Sequence, residues 1–240
     1  MSIKQYYNLM RLWVRRRINH DEYIKLQLAR ARLIQEELNP FMKPAKGLKL
    51  LDIGSHRGGY SIYFAKQGYK VTGLEISQDR ITTSRRASEK YGLNIEFVLG
   101  DARNMQFKDN TYNVVMLSNV IEHIKGTKGL LKEIYRIMKP GGILYIQFPP
   151  YWGVFGAHIY FKFFPLPLHY LTPRIANPLI RAFHLDSDLN DLEKLTIDRL
   201  IKLSKDTNFK IKMLKSFPSG IVNIRFMREL SPFCKLILEK

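Results

Sequence analysis

The central part of the chain alternates short apolar runs with stretches of helical spacing. The runs predict five strands at residues 48–53, 70–75, 95–99, 113–118 and 143–148. Helices are predicted between them at residues 60–66, 77–91 and 128–138, with Gly68 and Gly92 just beyond two of the helix ends. Pro140-Gly141-Gly142 is predicted to turn the chain into the fifth strand. Short apolar strands separated by helices indicate a parallel sheet that is covered on both faces.

The two ends of the chain follow other patterns. Residues 1–18 contain five cations and no acid at helical apolar spacing, which predicts a basic amphipathic helix. A second helix is predicted at residues 21–38, stopped by Asn39-Pro40. Near the other end, Thr196 is predicted to cap a helix that reaches Thr207, followed by strands at 209–214 and about 221–226. The prediction is a Rossmann-like α/β fold of seven mostly parallel strands with a closing antiparallel hairpin.

We expect one domain with four parts. They are a helical cover (1–46), a Rossmann core (47–150), an insertion (151–195) and a closing helix and hairpin (196–240). Hydrophobic content of 45% is that of an ordinary globular protein. The lone cysteine, Cys234, excludes an internal disulfide and a multi-cysteine metal site, and we expect it to be a small apolar packing residue.

The formal net charge of +18 is the one unusual global property of the chain. Such a charge favours anionic partners: nucleic acid, acidic lipid surfaces or phosphorylated molecules. No signal peptide pattern and no apolar stretch long enough to span a bilayer is evident, so a cytoplasmic location is predicted. Peripheral membrane contact is expected either through the basic N-terminal helix or through the aromatic residues of the insertion.

Polar and glycine-rich motifs follow the predicted strand ends. Gly54-Ser55-His56-Arg57-Gly58-Gly59 comes after the first strand, where such a turn lets the backbone approach a ligand and presents free amides. Glu75 ends the second strand, where an acid can accept both hydroxyls of a ribose. Asp101-Ala102 follows the third strand, and Ser118-Asn119 the fourth. Because parallel strands bind ligands beyond their carboxyl ends, we expect these groups to converge.

In this succession the sequence resembles the class I S-adenosylmethionine (SAM)-dependent methyltransferases, particularly the group that contains ubiquinone and menaquinone methyltransferases. The matching stretches are LLDIGSHRGGYS, VTGLEIS, GDARNMQF, YNVVMLSNVIEHI and LLKEIYRIMKPGGILYI. The resemblance implies SAM as cofactor. It places the methionine part on the Gly54 turn, the ribose on Glu75, the adenine on Asp101 and Ala102, and the sulfonium near Ser118 or Asn119. The full cofactor-binding set that it implies is Asp52, Gly54, Ser55, His56, Gly58, Glu75, Ile76, Asp101, Ala102, Ser118 and Asn119.

The sequence departs from that family at two places. His56 stands where the family usually has glycine, so its side chain either crowds the cofactor or hydrogen-bonds the cofactor's carboxylate, unless Gly58 and Gly59 absorb the strain. Some related enzymes bind magnesium through an E-x-x-E-H run, but here Asn119 replaces the first acid before Glu122-His123. No metal is therefore expected.

The insertion between the fifth strand and the Thr196 helix is expected to contribute the acceptor side. Residues 149–165 contain seven aromatic residues, which predict an apolar pocket, a membrane-facing lip or a small satellite core. His158 is the first candidate for a general base, with His123 also proposed as catalytic and His169 a weaker candidate.

Three functions are compatible with the sequence. The first is methyl transfer to a small-molecule, lipid-linked or glycan-linked acceptor, at oxygen rather than carbon. The second is an RNA methyltransferase that uses the basic surface, although no separate RNA-binding module is evident. The third is a non-catalytic protein of the same fold that acts as a binding partner, suggested by His56.

Overall fold

The structure is a computed structural model that describes residues 19–42, 46–153, 160–161, 164–165, 171–182, 190, 192–216, 231 and 233–240. Its helices are α1 (His20–Leu38), α2 (Gly59–Lys66), α3 (Gln78–Lys90), α4 (Thr127–Ile137), α5 (Pro173–Ala182) and α6 (Ile197–Asp206). Single 3-10 turns cover Asn39–Phe41 and Ile121–His123. The strands are β1 (Lys49–Ile53), β2 (Lys70–Glu75), β3 (Glu96–Leu99), β4 (Tyr112–Ser118), β5 (Met138–Phe148), β6 (Tyr160–Phe161), β7 (Phe164–Pro165), β8 (Lys210–Ser216) and β9 (Cys234–Glu239).

Seven of these strands form one sheet, in the order β3-β2-β1-β4-β5-β9-β8. Strand β1 pairs in parallel with β2 and β4, and β2 pairs in parallel with β3. The end of β9 meets the beginning of β5, because Lys240 exchanges backbone hydrogen bonds with Gly141 and Gly142. Strand β9 is therefore antiparallel to β5. The predicted fold class, a Rossmann-like sheet with closing antiparallel strands, is confirmed.

The chain divides into two compact units. The first contains the described residues up to Leu117, together with Glu133–Tyr145 and Glu239–Lys240. Its core consists of apolar side chains of β1, β2, β4 and the helices α1 to α3, such as Leu51, Phe64, Leu74 and Ile81. The second contains Ser118–Lys132 and the described part of Ile146–Leu238, and buries Leu131, Phe148, Ile180, Leu200 and Leu236 among others. The predicted division into four parts stays a prediction.

Helix ends follow the capping residues of the sequence closely. Asn19 and Glu22 form a reciprocal capping box at the start of α1, with Asn19 Oδ1 accepting from the Glu22 amide at 2.9 Å. The Thr196 hydroxyl accepts from the Arg199 amide at 3.1 Å at the start of α6. Asn208 adopts a left-handed conformation just after α6, with φ of 65°, as predicted.

One prediction about strands is wrong. Pro140-Gly141-Gly142 does not turn the chain before the fifth strand, because β5 already begins at Met138, and Gly141 and Gly142 pair with Lys240. Strand β9, Cys234–Glu239, was not predicted, and the predicted strand at residues 221–226 lies outside the described residues. Cys234 is buried in that strand, as expected of a small packing residue. The predicted helix at residues 1–18 also lies outside the described residues.

Candidate functional site

The glycine-containing turn after β1 is folded back against the end of β2. The amides of Gly54 and Ser55 both donate to the carbonyl of Leu74, at 2.8 and 3.1 Å. Gly54 and Gly58 have φ of 71° and 80°, a region that glycine adopts without steric cost. His56 has φ of 52°, which costs a non-glycine residue about 1–2 kcal/mol. The turn therefore holds one strained residue at its centre.

The carboxylate of Glu75 joins this turn to the end of β2. Its side chain is only 3% exposed, and Oε2 accepts a hydrogen bond from the His56 amide at 2.9 Å. Oε1 accepts from the amides of Ile76 and Ser77, each at 3.2 Å, and from Arg80 at 3.3 Å. Amides and a guanidinium thus hold a buried acid in one orientation at the carboxyl end of a parallel strand.

Asp52 is a second buried acid on the same side of the first unit. It is 1% exposed and accepts a hydrogen bond of 2.6 Å from the Ser61 hydroxyl. Burial raises the pKa of Asp52 to about 7, the hydrogen bond from Ser61 opposes that rise, and the nearby charge of Glu75 adds to it. The two carboxyl groups therefore differ: one is surrounded by donors, and the other is poorly solvated.

Two large apolar side chains are exposed beside these acids. Ile76 is 70% exposed and Leu99 is 52% exposed, at the ends of neighbouring strands. Glu75 and Leu99 are partners in the β2–β3 register, and the amide of Gly100 donates to the carbonyl of Glu75 at 3.0 Å. Exposed apolar groups next to a fixed acid provide a surface on which a flat ring can pack. Ile76 belongs to the predicted cofactor-binding set. Leu99 was not predicted, since nothing in the sequence pattern distinguishes Leu99 from the last residue of an ordinary strand.

Asp101 lies just beyond β3, and a neighbour already binds its carboxylate. Arg103 donates from its amide to Oδ1 at 2.8 Å and from Nη2 to Oδ2 at 2.6 Å. These bonds with Arg103 hold the pKa of Asp101 below its usual range. Ala102 between them is buried. The structure therefore brings the Gly54 turn, Glu75 and Asp101 to one edge of the sheet, as predicted, but Arg103 was not foreseen.

Helix α1 packs beside the turn and contacts it directly. The Gln27 side chain is 4% exposed, and its Oε1 accepts from the Gly59 amide at 3.1 Å. A Cβ on Gly59 would lie 2.5 Å from the Cβ of Gln27, so only glycine fits there. The ring of Tyr23 lies 5.2 Å from that of His56. These contacts were missed, because helical spacing predicts α1 but gives no sign of what its buried polar side chain meets.

Two polar side-chain atoms of the turn are buried without a hydrogen bond in the described part of the chain: Ser55 Oγ and His56 Nδ1. Burial lowers the pKa of His56 to about 4, helped by the charges of Arg80 and Arg57. The imidazole is therefore neutral at pH 7 and keeps one donor and one acceptor. Buried polar atoms without protein partners are free to bond to a ligand or to water. With Glu75 and the exposed apolar pair, these atoms match a nucleoside that carries a polar tail.

The second unit contains the residues after β4. Asn119 has φ of 56° and donates its amide to the carbonyl of Gln147 at 2.8 Å. Glu122 is buried, and its carbonyl accepts from the amide of Glu193 at 2.8 Å. His123 is about half exposed, with Nε2 3.9 Å from Glu122 Oε1. In the residues that the structure describes, no three His, Cys, Asp or Glu side chains converge as a metal site would require.

The described part of the insertion begins as packed core. Tyr151 is 2% exposed, and its amide donates to the carbonyl of Leu195 at 2.9 Å. Trp152 contacts it edge to face, with ring centroids 4.8 Å apart. These two aromatics support the satellite-core interpretation for the start of the segment. His158 and His169 lie outside the described residues, so their predicted roles stay predictions.

Comparison with known proteins is consistent with this arrangement. Residues 51–146 match the family described as "Methyltransferase domain". Norajmaline N-methyltransferase of Rauvolfia serpentina is 33% identical over 127 residues, which cover 50% of this chain and 44% of that protein. A sterol 24-C-methyltransferase of Gibberella zeae is 37% identical over 100 residues, 40% of this chain and 26% of the relative. A ubiquinone/menaquinone biosynthesis C-methyltransferase of Roseobacter denitrificans is 31% identical over 119 residues, 48% of each chain.

The chain spans less than half the length of these curated relatives. Among solved structures, a SAM-dependent methyltransferase from Mesorhizobium loti superposes with a TM-score of 0.62 at 14% identity, covering 85% of this chain and 96% of that one. The [4+2]-cyclase SpnF superposes with a TM-score of 0.61 at 15% identity, covering 88% and 80%. At such identities the likeness shows the fold alone, and one fold can carry different activities.

Proposed function

We propose that the chain, whose residues 51–146 match a methyltransferase domain, is a SAM-dependent methyltransferase acting on a small-molecule or lipid-linked acceptor. The observation that carries the proposal is the hydrogen bond between the His56 amide and the Glu75 carboxylate. It ties the glycine turn to the acid at the next strand end. One ligand can therefore contact both.

The first unit supplies the cofactor contacts in this proposal. Glu75 accepts from the ribose hydroxyls, and Ile76 and Leu99 pack on the adenine. Asp101 and Ala102 contact the edge of the adenine, where Arg103 shares the carboxylate. Ser55, His56 and the amides of the turn bind the methionine part, together with the residues at its base. The set adopted for that part is Asp52, Gly54, Ser55, His56 and Gly58. The predicted place of the sulfonium near Ser118 or Asn119, which belong to the second unit, stays a prediction.

The cofactor, when bound, supplies a methyl group on a positively charged sulfur. The residues of this chain orient it and exclude water from it, since a displacement at carbon depends chiefly on position and desolvation. Neutral His56 can donate to a carboxylate without adding a third positive charge next to Arg57 and Arg80. Gln27 fixes the Gly59 amide, so that the following amides of α2 are held in place around the turn.

The acceptor class rests on two supports. The names of the relatives specify norajmaline, a sterol and ubiquinone/menaquinone biosynthesis. Residues 151–195 of this chain begin with buried and half-exposed aromatic side chains. The predicted preference for oxygen receives no support from relatives whose names specify nitrogen or carbon. We therefore propose the acceptor class alone, with His158 and His123 as candidate bases where the acceptor has a proton to lose.

The proposal is tested with methyl-labelled SAM and the full chain in cell extract. The products are separated into small-molecule, lipid, RNA and protein fractions, and Glu75→Gln serves as the control that lacks the cofactor contact. We expect label in the small-molecule or lipid fraction with the wild-type chain and none above background with Glu75→Gln. Label in RNA, reduced steeply by added salt, would replace the proposal with the RNA methyltransferase alternative. The absence of label in every fraction, despite SAM binding, would favour the non-catalytic alternative.

A further inference from the structure

The outer face of helix α5 carries exposed apolar side chains. Its buried side consists of Ala176, Asn177 and Ile180. Ile175 and Leu179 point away from that side and are 56% and 38% exposed, and Leu171 just before the helix is 40% exposed. Residues four apart lie on one face of a helix, so Ile175 and Leu179 share a face, and exposed Leu171 lies just before the first turn of the helix. We call these three side chains the α5 ridge.

A pair of arginines accompanies the α5 ridge. Arg174 and Arg181 are both exposed and lie seven residues apart, so they lie nearly in line along one flank of the helix. Between this flank and the ridge lies Pro178, also exposed. The helix contains no acidic residue. An apolar ridge flanked by cations is the arrangement of helices that lie in the interface of an anionic membrane.

The surrounding sequence has the same character. No Asp or Glu occurs between Glu133 and Asp186, although the rest of the chain contains 21 acids in all. The charged residues of this segment are all basic, and a membrane surface rich in anionic lipid attracts basic residues. None of the described helices is long and apolar enough to cross a bilayer. Helix α5 has ten residues, and a helix of that length can lie in the membrane interface.

We propose that α5 docks the protein on membranes rich in anionic lipid, with Leu171, Ile175 and Leu179 in the acyl boundary and Arg174 and Arg181 at the phosphates. The proposal is independent of methyl transfer and of SAM. The affinity is modest and salt-sensitive, because three apolar side chains and two cations provide the contact. Each arginine near an anionic surface contributes about fivefold to the affinity.

The experiment is co-sedimentation of the full chain with vesicles of phosphatidylcholine, with and without phosphatidylglycerol, in the absence of SAM. One variant removes the ridge (Ile175→Ser with Leu179→Ser), and another reverses the flank (Arg174→Glu with Arg181→Glu). The matched control, Arg86→Glu with Lys108→Glu, has the same net charge as the second variant, and both of its positions are exposed and outside α5. Circular dichroism verifies that all variants fold.

We expect the wild-type chain to sediment with phosphatidylglycerol vesicles and not with phosphatidylcholine alone. Each α5 variant is expected to bind at least about tenfold more weakly. The control is expected to change binding by less than about threefold, since its charges lie outside the contact. Undiminished binding of either α5 variant, or equal losses in the control, would overturn the proposal. Self-association of the wild-type chain without vesicles that the ridge variant abolishes would also overturn it, because a second copy would then be the occupant.

A second measurement does not depend on weakened variants. Ile175→Cys introduces an exposed thiol into a chain whose natural Cys234 is fully buried. An environment-sensitive fluorophore on that thiol is expected to shift to the blue when phosphatidylglycerol vesicles are added. The same label introduced by Lys108→Cys is expected to stay in water. A spectrum from the Ile175→Cys label that does not move, while the protein sediments with the vesicles, would assign docking to another part of the chain.

Discussion

The proposed cofactor edge of the first unit (Asp52, the Gly54 turn, Glu75 and Asp101) and the segment after β5 differ in the charged side chains that they carry. At the cofactor edge, Asp52 and Glu75 are almost completely buried and are held by hydroxyl or amide donors. Between Glu133 and Asp186, by contrast, no acid occurs at all, and the exposed residues of α5 are apolar or basic. Fixed acids and backbone amides suit a constant polar ligand. An apolar and basic surface suits a less specific contact, such as one with anionic lipids.

The difference coincides with the extent of the family match. The matched residues, 51–146, contain the turn, Glu75 and Asp101, and they end before the apolar segment begins. On the proposed function, the groups that bind the cofactor are therefore concentrated in short motifs at strand ends. The proposed acceptor and membrane contacts lie in the longer segment that follows.

The largest effect at the proposed cofactor edge is expected in the pH dependence of unfolding. The folded-state pKa of Asp52 is raised from 3.8 to about 7, so between these values the folded form binds a proton that the unfolded form has lost. Stability contributed by protonated Asp52 is therefore present at low pH and is lost as pH rises toward 7. At about 1.4 kcal/mol per pKa unit, the loss is about 4 kcal/mol.

The measurement is the free energy of unfolding of wild type and Asp52→Asn from pH 4 to 8, by denaturant titration. We expect the difference between them to change by about 4 kcal/mol across this range, in the direction that makes the wild type relatively less stable at high pH. Asp79→Asn, at an exposed position of α3, is the control and should follow the wild-type curve. Parallel curves for wild type and Asp52→Asn would show that the buried acid does not titrate in this window.

Removing the charge of Glu75 is the next largest effect. Glu75→Gln keeps the shape of the side chain but removes its negative charge and replaces one carboxylate oxygen by an NH2 donor. SAM should therefore bind about a hundredfold more weakly. Isothermal titration calorimetry measures the affinity. Glu96→Gln, which makes the same change at the exposed start of β3, should leave it within about threefold. Equal effects at both positions would remove Glu75 from the cofactor contacts.

The sequence predicted the proposed cofactor edge far better than the segment beyond β5. Strand periodicity and the glycine turn predicted β1 to β4. The acids at the strand ends predicted that Glu75 and Asp101 lie at one edge of the sheet, since parallel strands align their carboxyl ends. The resemblance to class I methyltransferases is confirmed over residues 51–146. Arg103, Gln27 and Leu99 were missed because their roles arise from contacts, not from spacing. The strand at Cys234–Glu239 was not predicted, because its apolar run is short, and the predicted strand at 221–226 lies outside the described residues.

His56 provides a finer test of the same edge. Its Nδ1 is buried with no hydrogen-bond partner in the described residues, and the ring is neutral at pH 7. We expect His56→Gly to weaken SAM binding about tenfold, because a hydrogen bond to a charged carboxylate is lost. His56→Asn, which tolerates the left-handed conformation and keeps a donor, should recover part of that loss. Tighter binding by His56→Gly would show instead that the imidazole crowds the cofactor.

The smallest effect is expected at Arg103. Its bonds to Asp101 are at the surface, with the arginine side chain 56% exposed, and exposed pairs contribute little. Arg103→Ala should change SAM affinity by less than about threefold, while the pKa of Asp101, followed by NMR, rises toward its ordinary value. A loss of tenfold or more would make Arg103 itself a cofactor contact.

The most direct test of the account is calorimetric titration of SAM into the full wild-type chain. Saturable binding to a single site, which Glu75→Gln weakens about a hundredfold and Glu96→Gln leaves unchanged, is the predicted result. A well-folded chain that takes up no SAM, or that binds it equally well without the Glu75 charge, would contradict the assignment of this sheet edge to the cofactor.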